Sequence, residues 1–264
     1  QSTDAVNGAQ LYAAMANATG SKYFGVCSTM TANRDGSGAT GSEAIAIGSN
    51  VTSAGSYSIA IGHDISTSSL NSSAIAIGNG VTNNASLSAA IGFRAKALAD
   101  QAYAIGFDAS ASGRSAYAIG WGANASNSSS IAFGSLAMSR GEASVAMGTN
   151  AQALANSTTA LGRLSNATAP SATAVGHYAQ AFGEYSIGLG YLSYAASNYS
   201  TAIGATAFAL ADRTIAIGNQ SRSAAEDALA IGTQANATGE ASIAQGYLSN
   251  ASNTNAMAIG QNAQ

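Results

Sequence analysis

A short glycine-ended string recurs along most of this chain, and this repeat restricts the folds that the sequence can adopt. Variants of Ala-Ile-Ala-Ile-Gly occur sixteen times, and fourteen of the fifteen intervals between their closing glycines are 14 residues long. The exception is the 16-residue interval between Gly62 and Gly78. We therefore predict a loop of two extra residues within 63–73, after which the register is restored. A fixed short period over this length is typical of a solenoid.

Residue types alternate around each glycine, which is counted here as position 0. Positions −4 and −2 carry small residues, whereas positions −3 and −1 are mostly bulky and apolar. Positions +3 and +5 are mostly Ala or Ser, and position +4 between them is mostly polar. Alternation with period two predicts β-strands. Each 14-residue unit should therefore form one coil with two short strands and two turns. The stacked coils would make an all-β rod of roughly 75 Å.

The bulky apolar residues have implications for assembly. The lumen of a 14-residue coil is narrow, so small residues fit inside and the apolar columns should point outward. A long apolar stripe is an aggregation liability on a monomer. The simplest cover is the same stripe on identical chains around a cyclic axis. The pattern thus predicts a homo-oligomer, without fixing the number of subunits.

The repeated unit, Ser/Ala-Ile-Ala-Ile-Gly-x-x-Ala-x-Ala, resembles the YadA-like head of the trimeric autotransporter adhesins. The resemblance covers residues 41–264. It implies a left-handed parallel β-roll (a solenoid) of 14-residue coils that assembles as a homotrimer. It also implies a non-enzymatic adhesin on the surface of a Gram-negative bacterium. Its outer-membrane anchor would be a C-terminal β-barrel that the present sequence does not include.

The N-terminal residues resemble the segments that precede such heads. We expect residues 1–20 to be a neck-like segment with a short helix, because Leu11, Met15 and Ala18 share one helical face. Residues 21–40 should form a connector into the head.

In a trimer, the apolar column at position −1 would form the core. The predicted trimer-core residues are Ile47, Ile61, Ile77, Ile91, Ile105, Ile119, Ile203, Ile217, Ile231, Gln245 and Ile259. Gln245 replaces an apolar residue, and we hypothesise that three copies form one polar layer, since buried polar residues can set register.

Aromatic residues provide the candidate adhesive surface. They are concentrated between Tyr178 and Phe208, with Tyr194 and Phe208 at the otherwise polar position +4. We therefore expect Tyr194 and Phe208 to be exposed, with Tyr178 nearby. Exposed rings on a rigid surface make good contacts with partners. The alternative for aromatics at position +1 is packing between subunits.

The sequence offers no cofactor, metal or catalytic site. Its two histidines, His63 and His177, lie eight coils apart and cannot share a metal within one chain. No Ser-His-Asp set or isolated carboxylate pair stands out. Only 8% of residues are charged and the net charge is −3, which argues against nucleic-acid binding. No apolar run is long enough to span a membrane.

These observations favour an adhesin head that binds extracellular matrix proteins, other bacterial cells or abiotic surfaces, and that promotes autoagglutination. The alternatives are a structural spacer in a long surface fibre, a phage tail fibre or an ice-binding protein. An ice-binding solenoid would need a regular rank of Thr on one strand, and position +4 is too mixed.

Overall fold

The computed structural model describes residues 38–68 and 72–264. All regular structure in these residues is β, with no helix among them. The first coils contain the strands β1 Ile45–Ser53, β2 Ile59–Thr67, β3 Ile75–Asn79, β4 Thr82–Asn83, β5 Ala89–Phe93 and β6 Lys96–Ala97, and the longest of these are β1 and β2. From there on, each coil has one strand of three residues and one of two, except the last coil, which has only a three-residue strand.

The three-residue strands cover positions −3 to −1. They are β7 Tyr103–Ile105, β9 Tyr117–Ile119, β11 Ile131–Phe133, β13 Val145–Met147, β15 Thr159–Leu161, β17 Thr173–Val175, β19 Ile187–Leu189, β21 Thr201–Ile203, β23 Ile215–Ile217, β25 Leu229–Ile231, β27 Ile243–Gln245 and β29 Met257–Ile259. The two-residue strands cover positions +4 and +5. They are β8 Ser110–Ala111, β10 Asn124–Ala125, β12 Met138–Ser139, β14 Gln152–Ala153, β16 Asn166–Ala167, β18 Gln180–Ala181, β20 Tyr194–Ala195, β22 Phe208–Ala209, β24 Arg222–Ser223, β26 Asn236–Ala237 and β28 Asn250–Ala251.

Each strand pairs in parallel with the same positions of the next coil. Tyr103 pairs with Tyr117, for example, and Lys96 pairs with Ser110, each at a separation of 14 residues. Two parallel ladders therefore run along the rod on opposite sides of a common lumen. The solenoid of 14-residue coils predicted from the repeat is confirmed.

The lumen is filled by small side chains. The Ala residues at positions −2, +3 and +5 are almost all fully buried, as at Ala104, Ala109 and Ala111. Buried hydroxyls at position −4 donate to the carbonyl three residues earlier, as in the 2.6 Å bond from Ser144 Oγ to Gly141 O. These bonds satisfy polar groups that would otherwise be costly inside the coil.

The repeated glycine is required by the close stacking of coils. Gly190 has φ of +133°, and a Cβ built on it would lie 2.5 Å from the carbonyl oxygen of Gly204 in the next coil. The chain leaves the first ladder at this residue, so any side chain would push adjacent coils apart.

Two further residues per coil have a left-handed backbone, at positions +2 and −5. Tyr178 (φ 57°) and Tyr185 (φ 56°) are examples. Because these turns recur in every described coil, the side chains at their tips project at regular intervals along both edges of the rod.

The register locates the extra residues of the long interval. Both Ile59 to Ile75 and Ser66 to Thr82 are paired at an offset of 16, so the insertion follows β2. Leu87 N donates to Ser72 O, the same separation as Tyr57 N to Ser42 O, so the normal spacing has resumed by residue 72. The two additional residues therefore lie within 68–71, inside the predicted range. The predicted neck and helix of residues 1–20, and residues 21–37 of the connector, fall outside the described residues.

Candidate functional site

The coil presents two outward faces that differ in chemistry. The apolar face consists of the side chains at positions −3 and −1. The residues at position −1 are Ile47, Ile61, Ile77, Ile91, Ile105, Ile119, Phe133, Met147, Leu161, Val175, Leu189, Ile203, Ile217, Ile231, Gln245 and Ile259. The residues at position −3 are Ile45, Ile59, Ile75, Ala89, Tyr103, Tyr117, Ile131, Val145, Thr159, Thr173, Ile187, Thr201, Ile215, Leu229, Ile243 and Met257.

The apolar face is open along its length in the single chain. Its residues alternate with the buried Ala at −2, and all except Ala89 are half-buried or exposed. Ile105 is 37% exposed and Ile187 is 40% exposed. Such a continuous apolar surface is far larger than a soluble monomer usually exposes.

Gln245 is the one amide in the −1 column. It pairs with Ile231 on one side and with Ile259 on the other, and its side chain is exposed in the single chain. All the predicted trimer-core residues therefore lie on one aligned column. Their burial between subunits stays a prediction.

The mixed face, on the opposite side of the lumen, consists of the position +4 residues of the first fifteen coils. They are Thr52, Ser66, Thr82, Lys96, Ser110, Asn124, Met138, Gln152, Asn166, Gln180, Tyr194, Phe208, Arg222, Asn236 and Asn250. No Asp or Glu occurs among them. Each pairs in register with the next, and Asn236 Nδ2 donates to Asn250 Oδ1 at 2.9 Å.

Two of the predicted adhesive residues meet on the mixed face. Tyr194 and Phe208 are register partners, and their ring centroids are 6.3 Å apart. Phe208 is 38% exposed, whereas Tyr194 is half-buried. The edge of Phe182 packs against Tyr194 at 5.5 Å in a T-shaped arrangement, which is a favourable geometry for aromatic pairs.

Tyr178 lies on a different surface. It sits in the turn after the glycine and contacts His177, with ring centroids 4.5 Å apart. In the part of the chain that the structure describes, its ring makes no contact with Tyr194 or Phe208. Tyr185 and Tyr199 stack at 5.4 Å on the other turn. The aromatic-rich segment is thus distributed over the mixed face and both edges.

Sequence reasoning did not single out Phe182. The available signal was its spacing, because position +6 follows +4 by two residues and shares its outward direction. The stacked pairs Phe93–Phe107 at 5.1 Å and Tyr103–Tyr117 at 5.0 Å instead join equal positions of neighbouring coils. Equal positions in neighbouring coils are held at one strand spacing, which suits ring stacking.

Acidic side chains are confined to the turns. Every Asp and Glu in residues 38–68 and 72–264 is at position +2, +8 or −5. Arg213 pairs with Glu226 and with Asp227, the latter at 2.6 Å from Nε to Oδ1. Hydrogen bonding from Arg213 lowers the pKa of Asp227, and the two carboxylates raise the pKa of Arg213. In the turns at position +2, the equivalent hydrogen bond from Arg94 to Asp108 raises the pKa of Arg94.

The described residues contain no group of three His, Cys, Asp or Glu side chains placed to hold a metal ion. His63 Nδ1 lies 3.0 Å from Asp64 Oδ2, and His177 Nε2 lies 2.9 Å from Arg163. Over the same residues, no helix has the length and apolar character needed to cross a bilayer.

The sequence matches a family model described as the YadA head domain repeat. The matches cover 39–64, 85–109, 111–137, 139–165 and 167–193, and then overlap through 183–263. No curated protein matches the chain.

Proposed function

The chain belongs to the YadA head family, and from this we propose that it is the adhesive head of a trimeric autotransporter adhesin. Three copies would pack through their apolar faces and turn their mixed faces and turn edges outward. The head would be displayed on the surface of a Gram-negative cell, tethered to the outer membrane by another part of the fibre. We expect it to have no catalytic activity.

The observation that carries this proposal is the contrast between the two faces. Sixteen coils align their bulky apolar residues on one side, where water contact is unfavourable. The other side carries amides, hydroxyls, a few rings and few charges, which suits contact with varied surfaces. A rod with one face for assembly and the other for contact can hold partners away from the cell.

Repetition provides a mechanism for attachment without a deep pocket. A weak contact that recurs along a rod, in three copies, gains strength because each further contact is effectively intramolecular. Sparse charge also limits electrostatic steering toward one class of charged partner. We therefore propose multivalent attachment to extracellular matrix proteins, other bacterial cells or abiotic surfaces, with autoagglutination and biofilm formation as consequences.

The test begins with the oligomeric state of the purified chain, measured by light scattering after size exclusion. The trimer is then applied to collagen, fibronectin, laminin, glass and polystyrene over a range of salt concentrations. We expect attachment to several of these surfaces with weak dependence on salt. A trimer that binds none of them would instead indicate a structural spacer.

A monomeric variant distinguishes the strength of a single chain's contact with a surface from the gain that comes from having three linked copies. Ile217→Asp on the apolar face should give monomers with an unchanged mixed face. Attachment should fall by far more than threefold if multivalency is responsible. Equal attachment by monomer and trimer, per chain, would contradict the proposed mechanism.

A further inference from the structure

One stretch of the mixed face differs from the rest in combining aromatic rings, an amide and a cation. This aromatic strip consists of Gln180, Tyr194, Phe208 and Arg222 on four successive coils, with Phe182 beside Tyr194. We propose that it binds an acidic oligosaccharide. The proposal rests on the adhesive function above and names a ligand class for one part of that surface.

The rings provide the platform. Phe208 is exposed, Tyr194 packs against Phe182 on one side, and the ring centroids of Tyr194 and Phe208 are 6.3 Å apart. A rigid ring face packs well against the C–H groups of a sugar ring at little cost in side-chain entropy. Because the two rings are tilted by 49° relative to each other, each can pack against a different sugar of an unbranched oligosaccharide.

The strip has the right length for several sugars. Register pairing places Gln180 and Arg222 three coils apart, which is about 14 Å at one strand spacing per coil. The residues lie in a line along the rod, without any wall across it. A linear ligand can therefore lie along the strip and extend beyond both ends.

Charge identifies the ligand as acidic. Arg222 is exposed and forms no ion pair within the described residues, in contrast to Arg94 and Arg213. Carboxylates are absent from the whole mixed face, so nothing there competes for the guanidinium or repels an anion. A guanidinium binds a carboxylate or sulfate through paired hydrogen bonds. At the other end, the Gln180 amide can donate to and accept from sugar hydroxyls.

The position of the strip keeps it accessible in an assembled head. Buried Ala side chains at positions −2 and +5 separate the apolar face from the mixed face on opposite sides of the lumen. Packing through the apolar face therefore leaves the strip at the periphery, in one copy per subunit. Three copies give an acidic polysaccharide several points of attachment.

The test is calorimetric titration of the 264-residue chain with two hexasaccharides. One alternates glucuronic acid with N-acetylglucosamine, and the other contains N-acetylglucosamine only. We expect saturable binding of the acidic oligosaccharide that weakens with added salt, and at least threefold weaker binding of the neutral one. No binding of the acidic sugar, or equal binding of both, overturns the proposal.

Variants with matched controls locate the site. Phe208→Ala should weaken acidic-sugar binding about tenfold, whereas Tyr247→Ala, which removes a more exposed ring from a turn, should leave it unchanged. Arg222→Gln should weaken it about threefold and flatten the salt dependence, whereas Lys96→Gln on the same face should not. Equal losses in a variant and its control would assign binding to non-specific contact.

The attachment panel, run on the same samples, separates the two proposals. Phe208→Ala is expected to keep attachment to glass and polystyrene while losing the sugar. Attachment by wild type without any sugar binding would overturn only the ligand class. Loss of both in a correctly assembled wild type would remove the proposed function as well.

Discussion

The apolar face and the mixed face lie on two parallel ladders with the same 14-residue repeat, yet they carry different chemistry. The apolar face is apolar at almost every coil, and its polar residues are limited to Gln245 at position −1 and to Thr159, Thr173 and Thr201 at position −3. The mixed face varies at almost every coil, from Lys96 to Phe208. This difference is expected under the proposed function, since a face that packs against copies of itself would be restricted at every level and a face that meets external partners would not.

The two faces also explain where charge occurs. Charged pairs such as Arg213 and Asp227 lie on the solvated turns at the edges of the rod. The mixed face has only Lys96 and Arg222. Under the proposed function, assembly, partner contact and solubility would thus involve separate surfaces of one coil.

The largest expected effect comes from placing a charge on the apolar face. Ile217 lies between Ile203 and Ile231, so Ile217→Asp would bury an unpaired carboxylate in each subunit at a cost of roughly 3–5 kcal/mol. Light scattering should show monomers. Asn236→Asp on the mixed face is the control and should stay trimeric; dissociation of both variants would contradict the division between the faces.

The glycine that carries the chain from one face toward the other gives the next effect. Gly190→Ala should destabilise the head by about 2–3 kcal/mol, because its backbone conformation and the Gly204 carbonyl oppose a Cβ. Thermal unfolding measures the loss. Gly122→Ala is the control: its Cβ would meet only the flexible end of Leu136, so a cost of about 1 kcal/mol is expected. Similar losses would show that coil spacing is not the cause.

A smaller effect with the opposite sign is expected at the polar position in the apolar column. Gln245→Ile should raise the melting temperature by about 2–4 °C, since an amide that the proposed trimer would bury is replaced by a side chain that matches Ile231 and Ile259. Gln152→Ile, the same change on the mixed face, should have an effect below about 0.5 kcal/mol. A lower melting temperature for Gln245→Ile would mean that the amide layer stabilises the assembly.

The smallest expected effect is on stability at low pH, where the ion pair between Arg213 and Asp227 in the turns is lost. Asp227 has a lowered pKa in the folded chain, so its contribution to stability is present above its unfolded value of 3.8 and is lost as the pH falls through the folded value. Unfolding curves from pH 5 to pH 2 should therefore converge for wild type and Asp227→Asn at the acid end. Arg222→Gln, which removes a cation without a carboxylate partner, should give a difference that does not change with pH. Parallel curves for Asp227→Asn would argue against the ion pair.

The candidate site could be predicted only in part. Position +4 identified Tyr194 and Phe208 as neighbours on an outward column, because equal positions in a repeat must be adjacent. The separate location of Tyr178 and the packing of Phe182 against Tyr194 could not be predicted, since they depend on where the turns carry the chain and on side-chain torsions. Whether these residues bind a partner stays a prediction.

By itself, the sequence determined the solenoid, its 14-residue coil, the outward apolar columns and the approximate place of the insertion. It could do so because the same residue preference recurs at each position in sixteen repeat units, which distinguishes a real pattern from a chance one. The tertiary structure alone decided the left-handed turns, the close contact that demands the repeated glycine, and the confinement of the insertion to 68–71. These features arise between coils, where carbonyl groups, rings and backbone meet at one strand spacing, and no single unit of the sequence specifies them.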